Sequence, residues 1–136
     1  MTACGKSKKG IPQPAFQLYR SPRIKAVYNR RNGQAMAILS ARYGLVKAEQ
    51  IIEPYEQALT KERATELIPQ ISKQIQEFDY VLYYRGGAGR QYYELIETAC
   101  EKAGKNLLTV GYKNLGDINK VTEAIKNLQG QDSNEE

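Results

Sequence analysis

Three short segments of this chain carry residue types able to grip an anion, and each stands where a turn is expected. Cys4-Gly5-Lys6-Ser7-Lys8 sets a flexible glycine beside two ammonium groups and a hydroxyl, so backbone N–H groups and charge can converge on a phosphate. It is not a Walker A loop, because that motif needs another glycine five positions before Gly5 and no such residue exists here. Cys4 itself reads either as a thiolate nucleophile activated by the lysines or as a small residue at a strand end. Arg85-Gly86-Gly87-Ala88-Gly89-Arg90 resembles the glycine turn of a dinucleotide-binding unit, where missing side chains let the backbone approach a pyrophosphate at a helix start. Its spacing departs from G-x-G-x-x-G, since Tyr92 stands three positions after Gly89, and a plain tight turn is the other reading. Ser40-Ala41-Arg42-Tyr43-Gly44 is the third segment.

Glu53 is the carboxylate best spaced to serve that basic cluster as general base, or as an acid binding a metal or a hydroxyl. An ion pair from Glu53 to Arg42 or Lys47 is the competing reading. The chain has ten tyrosines, two phenylalanines and no tryptophan, so its aromatic faces carry polar handles. Tyr43, Tyr55, Tyr83, Tyr84, Tyr92 and Tyr93 fall at or near the expected loop edge, where rings can pack or stack on a base. Histidine is absent, which excludes Ser-His-Asp and Cys-His catalytic units and argues against a zinc site.

Charge points the same way. The first 48 residues hold ten Lys or Arg and no Asp or Glu, so the net charge of +5 is a segment of +10 joined to one of −5. Such a segment suits an anionic partner, or meets the acidic remainder of the chain. Lys6, Lys8 and Arg42 are the cations expected in a cleft, while Arg23, Lys25, Arg30 and Arg31 are expected on a helix face.

The elements that must position these residues follow from punctuation and periodicity. Met1 to Ala3 reads as the end of a strand whose start is truncated, and residues 4–14 as a loop with two prolines. Ser21-Pro22 starts a helix over residues 22–32, stopped by Gly33. Residues 35–40 form a buried strand. Thr60 caps a helix to Glu77 with an apolar stripe of Leu67, Ile68, Ile71 and Ile75, kinked or split at Pro69. A strand over 78–84, a helix over 90–103 stopped by Gly104, a strand over 106–110 and a helix from Asp117 to about Leu128 complete the pattern. At 136 residues the chain makes one domain over 1–128, with 129–136 a disordered acidic tail. No apolar run is long enough to span a membrane and no signal peptide opens the chain, so a cytoplasmic setting is expected.

Alternating strands and helices with short connections predict an α/β fold. The expected form is a three-layer Rossmann-like domain with a mostly parallel sheet of about four strands and helices on both faces. Ligands in such sheets bind beyond the carboxyl ends of the strands.

The ordered set Cys4-Gly5-Lys6-Ser7-Lys8, Leu18-Tyr19-Arg20-Ser21-Pro22, Ile38 to Val46, Ile52-Glu53-Pro54-Tyr55 and Leu59 resembles a known family across residues 4–60. These are the small prokaryotic and phage domains labelled YaaA-like, with a C-x-K-x-K start followed by L-Y-x-S, L-S-A-[KR]-Y-G-L and P-Y-[DE]-x-x-L segments. The resemblance implies an α/β fold and a site built from Lys6, Ser7, Tyr19, Ser21, Ser40, Tyr43, Gly44, Glu53 and Tyr55. Larger peroxide-stress relatives are associated with DNA binding and with limiting iron-driven oxidative damage, and similarities to nucleobase-processing domains have been suggested.

These readings converge on a phosphate- or anion-binding domain that recognises a nucleotide or nucleic acid through its post-strand loops. The binding set is Cys4, Gly5, Lys6, Ser7, Lys8, Tyr19, Ser21, Arg42, Gly44, Tyr55, Arg85, Gly86, Gly87, Gly89, Arg90 and Tyr92. One alternative is an enzyme acting on a nucleoside or nucleotide at its N-glycosidic bond, with Glu53 as base or nucleophile and Ser40 or Tyr43 orienting the substrate. Another is a scaffold whose basic face meets an acidic partner protein. No cofactor, metal or oligomeric state is assigned by the sequence.

Overall fold

The local signals act where the physics of turns and caps is strongest. The computed structural model describes residues 1–3, 10–19, 21–85, 89–110 and 119–134. Thr60 turns its Oγ1 back to accept the Arg63 N–H at 3.1 Å and opens α3 (Lys61–Gln74), which tightens into a 3-10 turn over Ile75–Glu77. Pro69 does not split α3, which runs through it as one element. Pro69 and Thr65, whose carbonyl loses its N–H partner, both face solvent, where water can replace the missing bond. Gly104 takes φ 70° and ends α4 (Arg90–Ala103) in the left-handed cap that suits glycine.

α2 (Pro22–Asn29) stops three residues short of the expected end. Arg30 and Arg31 fold back to donate to the Ala26 and Tyr28 carbonyls at 3.3 and 2.7 Å, and the chain turns left-handed at Asn32 and Gly33. Two small elements went unforeseen, β2 (Gln13–Pro14) at the end of the proline-rich loop and the single turn α1 (Ala15–Leu18) just after it. The last helix, α5, spans Asn119–Asn134 and so runs past Leu128.

The strands make several small sheets of mixed direction. β1 (Thr2–Ala3) pairs parallel with β3 (Ala37–Ser40), and β3 pairs antiparallel with β4 (Gly44–Lys47) through the hairpin Ala41–Tyr43. β2 pairs antiparallel with β5 (Ile51–Ile52), and β6 (Tyr80–Tyr84) pairs parallel with β7 (Asn106–Val110). The α/β class is as expected, and the paired strands form a mixed arrangement, parallel in β1–β3 and β6–β7 and antiparallel in β2–β5 and β3–β4. The cause of the β3–β4 pairing is Gly44: φ 74° there reverses the chain within three residues, and the apolar Leu45-Val46 pair returns alongside β3 instead of leading into a helix. Backbone bonds from the Met1 amine to the Leu82 carbonyl (3.0 Å) and from the Tyr84 N–H to the Met1 carbonyl (2.9 Å) tie the start of the chain to β6.

Period-two alternation sends neighbouring strand residues into two cores. Ile38, Val46 and Tyr84 join Tyr19, Ile24, Val27, Val121 and Ile125 under α2 and α5. Leu39, Leu45, Val81 and Tyr83 join Leu67, Ile71, Leu95 and Ile96 under α3 and α4. Among the described residues, no helix is long and apolar enough to cross a membrane.

Candidate functional site

Ser40, the last residue of β3, has no accessible surface, and its hydroxyl is the pivot of the site. Its Oγ accepts the backbone N–H groups of Arg42 (3.2 Å) and Tyr43 (3.1 Å), which occupies both lone pairs. The Ser40 proton is therefore directed to the Tyr55 hydroxyl at 2.7 Å, and Tyr55 meets the Tyr19 hydroxyl at 2.6 Å. Three hydroxyls from three distant segments thus form one buried chain. Tyr19 reaches it because residues 13–16 are laced to residues 48–52: β2 pairs with β5, and Ala15 and Phe16 donate to the Gln50 and Ala48 carbonyls at 2.8 and 2.9 Å. Tyr55 then packs edge-on against Tyr19 and Tyr43, with ring centroids 6.2 and 5.4 Å apart.

The hairpin that carries Ser40, Arg42 and Tyr43 is held from outside by one face of α3. Arg63 donates Nε to the Ala41 carbonyl at 2.7 Å and a terminal nitrogen to the Arg42 carbonyl. Gln70 donates to the Tyr43 carbonyl at 2.7 Å, and Gln74 both accepts the Leu45 N–H (3.1 Å) and donates to the Leu45 carbonyl (2.9 Å). With its carbonyls taken up by α3 and its N–H groups by Ser40, the turn has a defined shape before any ligand arrives. The positive φ at Gly44 favours glycine, and a Cβ there would also lie 2.7 Å from Gln70 Nε2 and displace that side chain.

Arginines gather along the carboxyl ends of the strands. Arg23 of α2 is half-buried and donates to the Ala3 carbonyl at 3.2 Å, at the point where residues 4–9 begin. Arg85 follows β6 directly; its N–H donates to the Val110 carbonyl at 2.9 Å, and its guanidinium lies 3.8 Å from the Tyr93 ring centre. Glu97 raises the Tyr93 phenol above its ordinary range, chiefly through a hydrogen bond. The Arg42 guanidinium lies 5.3 Å from the centre of the Tyr43 ring and is exposed.

Of the residues expected in a site, Tyr19, Ser40, Tyr43 and Tyr55 come together, with Arg42 and Gly44 in the same turn. Ser21 is buried at the start of α2, and its hydroxyl makes no cap bond there. Glu53 is exposed; Tyr43 donates to its backbone carbonyl at 3.3 Å, and its carboxylate forms no ion pair with Arg42 or Lys47. Gly89 precedes α4 with ordinary extended geometry. Arg90 pairs with Glu94 at 3.0 Å on the outside of α4, and Tyr92 packs beneath that helix, so neither joins the hydroxyl cluster. Cys4, Gly5, Lys6, Ser7, Lys8, Gly86 and Gly87 lie outside the described residues.

Sequence reasoning missed Arg23, Arg63, Gln70 and Gln74. The last three recur at spacings of seven and four beside the apolar stripe of α3, a pattern that marks one helix face but not what it meets. A separate cavity of about 570 Å³ opens between Met36, Tyr80, Leu82, Val121 and Ile125, near the amino ends of the strands and away from the hydroxyl cluster. Met1 borders it, and burial lowers its amine to about 5.

Residues 1–116 match the model of a family of unknown function, DUF6884, and the chain belongs to that family. Comparison with curated proteins and with solved structures gives no match.

Proposed function

We propose that this domain binds the phosphate of a nucleotide or nucleic acid at the carboxyl ends of β1, β3 and β6. The observation that supports this reading most is the pre-shaped Ser40–Tyr43 turn beside strand ends followed by Arg42 and Arg85 and reached by Arg23 from α2. The Met1 bonds to β6 follow the parallel pattern, and through them the β1–β3–β4 and β6–β7 sheets read as one Rossmann-like sheet with helices on both faces. In that arrangement Ala3, Leu39 and Arg85 stand level at the carboxyl ends of neighbouring strands. Lys6, Lys8 and the glycines would add ammonium and N–H donors to those ends, as the YaaA-like segments imply. Tyr43, half-exposed with Arg42 over its face, is the ring available to a base, whereas Tyr55 is buried behind it and acts by positioning.

Hydrolysis with Glu53 as base finds no supporting observation, because its carboxylate is exposed and makes no hydrogen bond among the described residues. Binding is tested by titrating labelled single- and double-stranded DNA and RNA across a salt series, with nucleotides and inorganic phosphate as competitors. Three arginines engaged on duplex phosphates give a slope of log K against log salt of roughly −3. Arg23→Gln and Arg42→Gln are each expected to lower its magnitude by about one. Absence of binding at low salt to every one of these ligands, or affinity that ignores salt, refutes the reading.

A further inference from the structure

The two outer strands of the β1–β3–β4 and β6–β7 sheets are treated very differently. On β4 the outward N–H and carbonyl of Leu45 are both taken by the Gln74 amide, Gln50 donates to the Lys47 carbonyl at 3.0 Å, and Lys47 is itself charged and exposed. That edge is closed to another strand. Among the described residues, β7 has no such protection. Its five residues, Asn106-Leu107-Leu108-Thr109-Val110, include no charge, no proline and no bulge.

The direction of its free groups follows from one bond. The Val110 carbonyl faces β6, where it accepts from Arg85, so alternation turns the N–H and carbonyl groups of Leu107 and Thr109 away from the sheet. Among the described residues nothing hydrogen-bonds to these outward groups. Leu108, between them, is 39% exposed, one of the few large apolar side chains left open.

We infer that β7 is a homodimerisation edge, pairing antiparallel with β7 of a second copy about a two-fold axis through Leu108. The strand is self-complementary in that register. Leu107 meets Thr109 of the partner copy and Thr109 meets Leu107, so four backbone hydrogen bonds form and every outward group is satisfied. Leu108 faces its own symmetry mate in a non-hydrogen-bonded pair, the closer kind, with Cα atoms about 4.5 Å apart. The exposed leucine is thereby covered by its counterpart. A shift of one residue along the strand would set inward-facing groups against outward-facing ones, and a shift of two halves the ladder and leaves Leu108 open, so the register is determined. Self-pairing also accounts for the lack of charge, because a lysine or glutamate near the axis would meet its own copy.

Sedimentation of the full chain over a concentration series tests this directly. The expected result is a reversible transition to twice the protomer mass. Leu108→Lys sets two ammonium groups face to face, and Thr109→Pro removes an outward N–H while sparing the β6 ladder; each is expected to abolish the dimer with the circular dichroism spectrum retained. Should either variant fail to fold, oxidative cross-linking decides. Leu108→Cys brings two thiols into disulfide range across the axis (Cα separation ~4.4–6.8 Å), whereas Asn106→Cys does not. A chain that stays monomeric throughout, a dimer that survives Leu108→Lys in folded form, or equal cross-linking at 106 and 108 overturns the inference.

Discussion

Replacing Tyr55 by phenylalanine isolates the energetic role of the hydroxyl chain. The ring is kept, so its edge-on packing with Tyr19 and Tyr43 persists and no cavity forms. What disappears is one oxygen that bonds Ser40 at 2.7 Å and Tyr19 at 2.6 Å, between two side chains of zero exposure. Ser40 keeps the two N–H bonds it accepts, but its proton loses its acceptor, and leaving a buried donor unmet costs about 1–3 kcal/mol. The lost bond to Tyr19 brings the expected total to about 2–3 kcal/mol. For a chain of this size that corresponds to a fall in Tm of roughly 8–12 °C. Urea and thermal unfolding followed by far-UV circular dichroism measure it, with Tyr43→Phe as the matched control. Tyr43 loses only an exposed bond of 3.3 Å to the Glu53 carbonyl, a change expected to stay within about 0.5 kcal/mol. Because Ser40 and Tyr55 share one network, Ser40→Ala combined with Tyr55→Phe should cost less than the sum of the single changes by about 1 kcal/mol. A Tyr55→Phe protein as stable as the parent, or strict additivity in the double variant, refutes the network.

Gly44→Ala is expected to cost about 1–2 kcal/mol from the left-handed backbone alone; adding Gln70→Ala, which clears the 2.7 Å contact, should recover only part of the loss in urea melts. Gln74→Ala removes both bonds to Leu45 and should lower stability by about 1–3 kcal/mol. It should also raise aggregation, read by light scattering, because the β4 edge is opened. Burial raises the Cys100 thiol to about 11 from 9.0, so the folded chain keeps this proton where the unfolded chain has lost it. Its contribution to stability is present below pH 9 and declines as pH rises toward 11, a slope that Cys100→Ala should remove from a pH series of melts. At neutral pH, mass spectrometry should find Cys100 alkylated only as fast as the chain opens.

Much of the secondary structure was legible because its causes are local. Thr60, Gly104 and the strand-forming residues of the 78–84 run act over a few residues, and the elements they predict are present, the strand starting at Tyr80. Ser40, Tyr43 and Tyr55 were also identifiable, as hydroxyl-bearing residues at turns. Their roles were not, because burial and the count of filled lone pairs set those. Pro69 does not split α3, because whether a proline breaks a helix depends on whether solvent can serve the freed carbonyl. β4 was missed because a residue at φ 74° starts a hairpin in one context and ends an element in another.

By itself, then, the sequence determined the longer helices, the strands β3, β6 and β7, the acid-free basic third and the set of hydroxyls that a site draws upon. Each follows from propensity, periodicity or composition, which need no knowledge of distant neighbours. Only the tertiary structure decided that Tyr19, Ser40 and Tyr55 meet, that α3 clasps the hairpin through Arg63, Gln70 and Gln74, that Arg23 turns to the end of β1, and that Gln74 seals the outer edge of β4. These are contacts between segments 15 to 36 residues apart or more, and no local term in the chain specifies which of many polar groups will share one buried place.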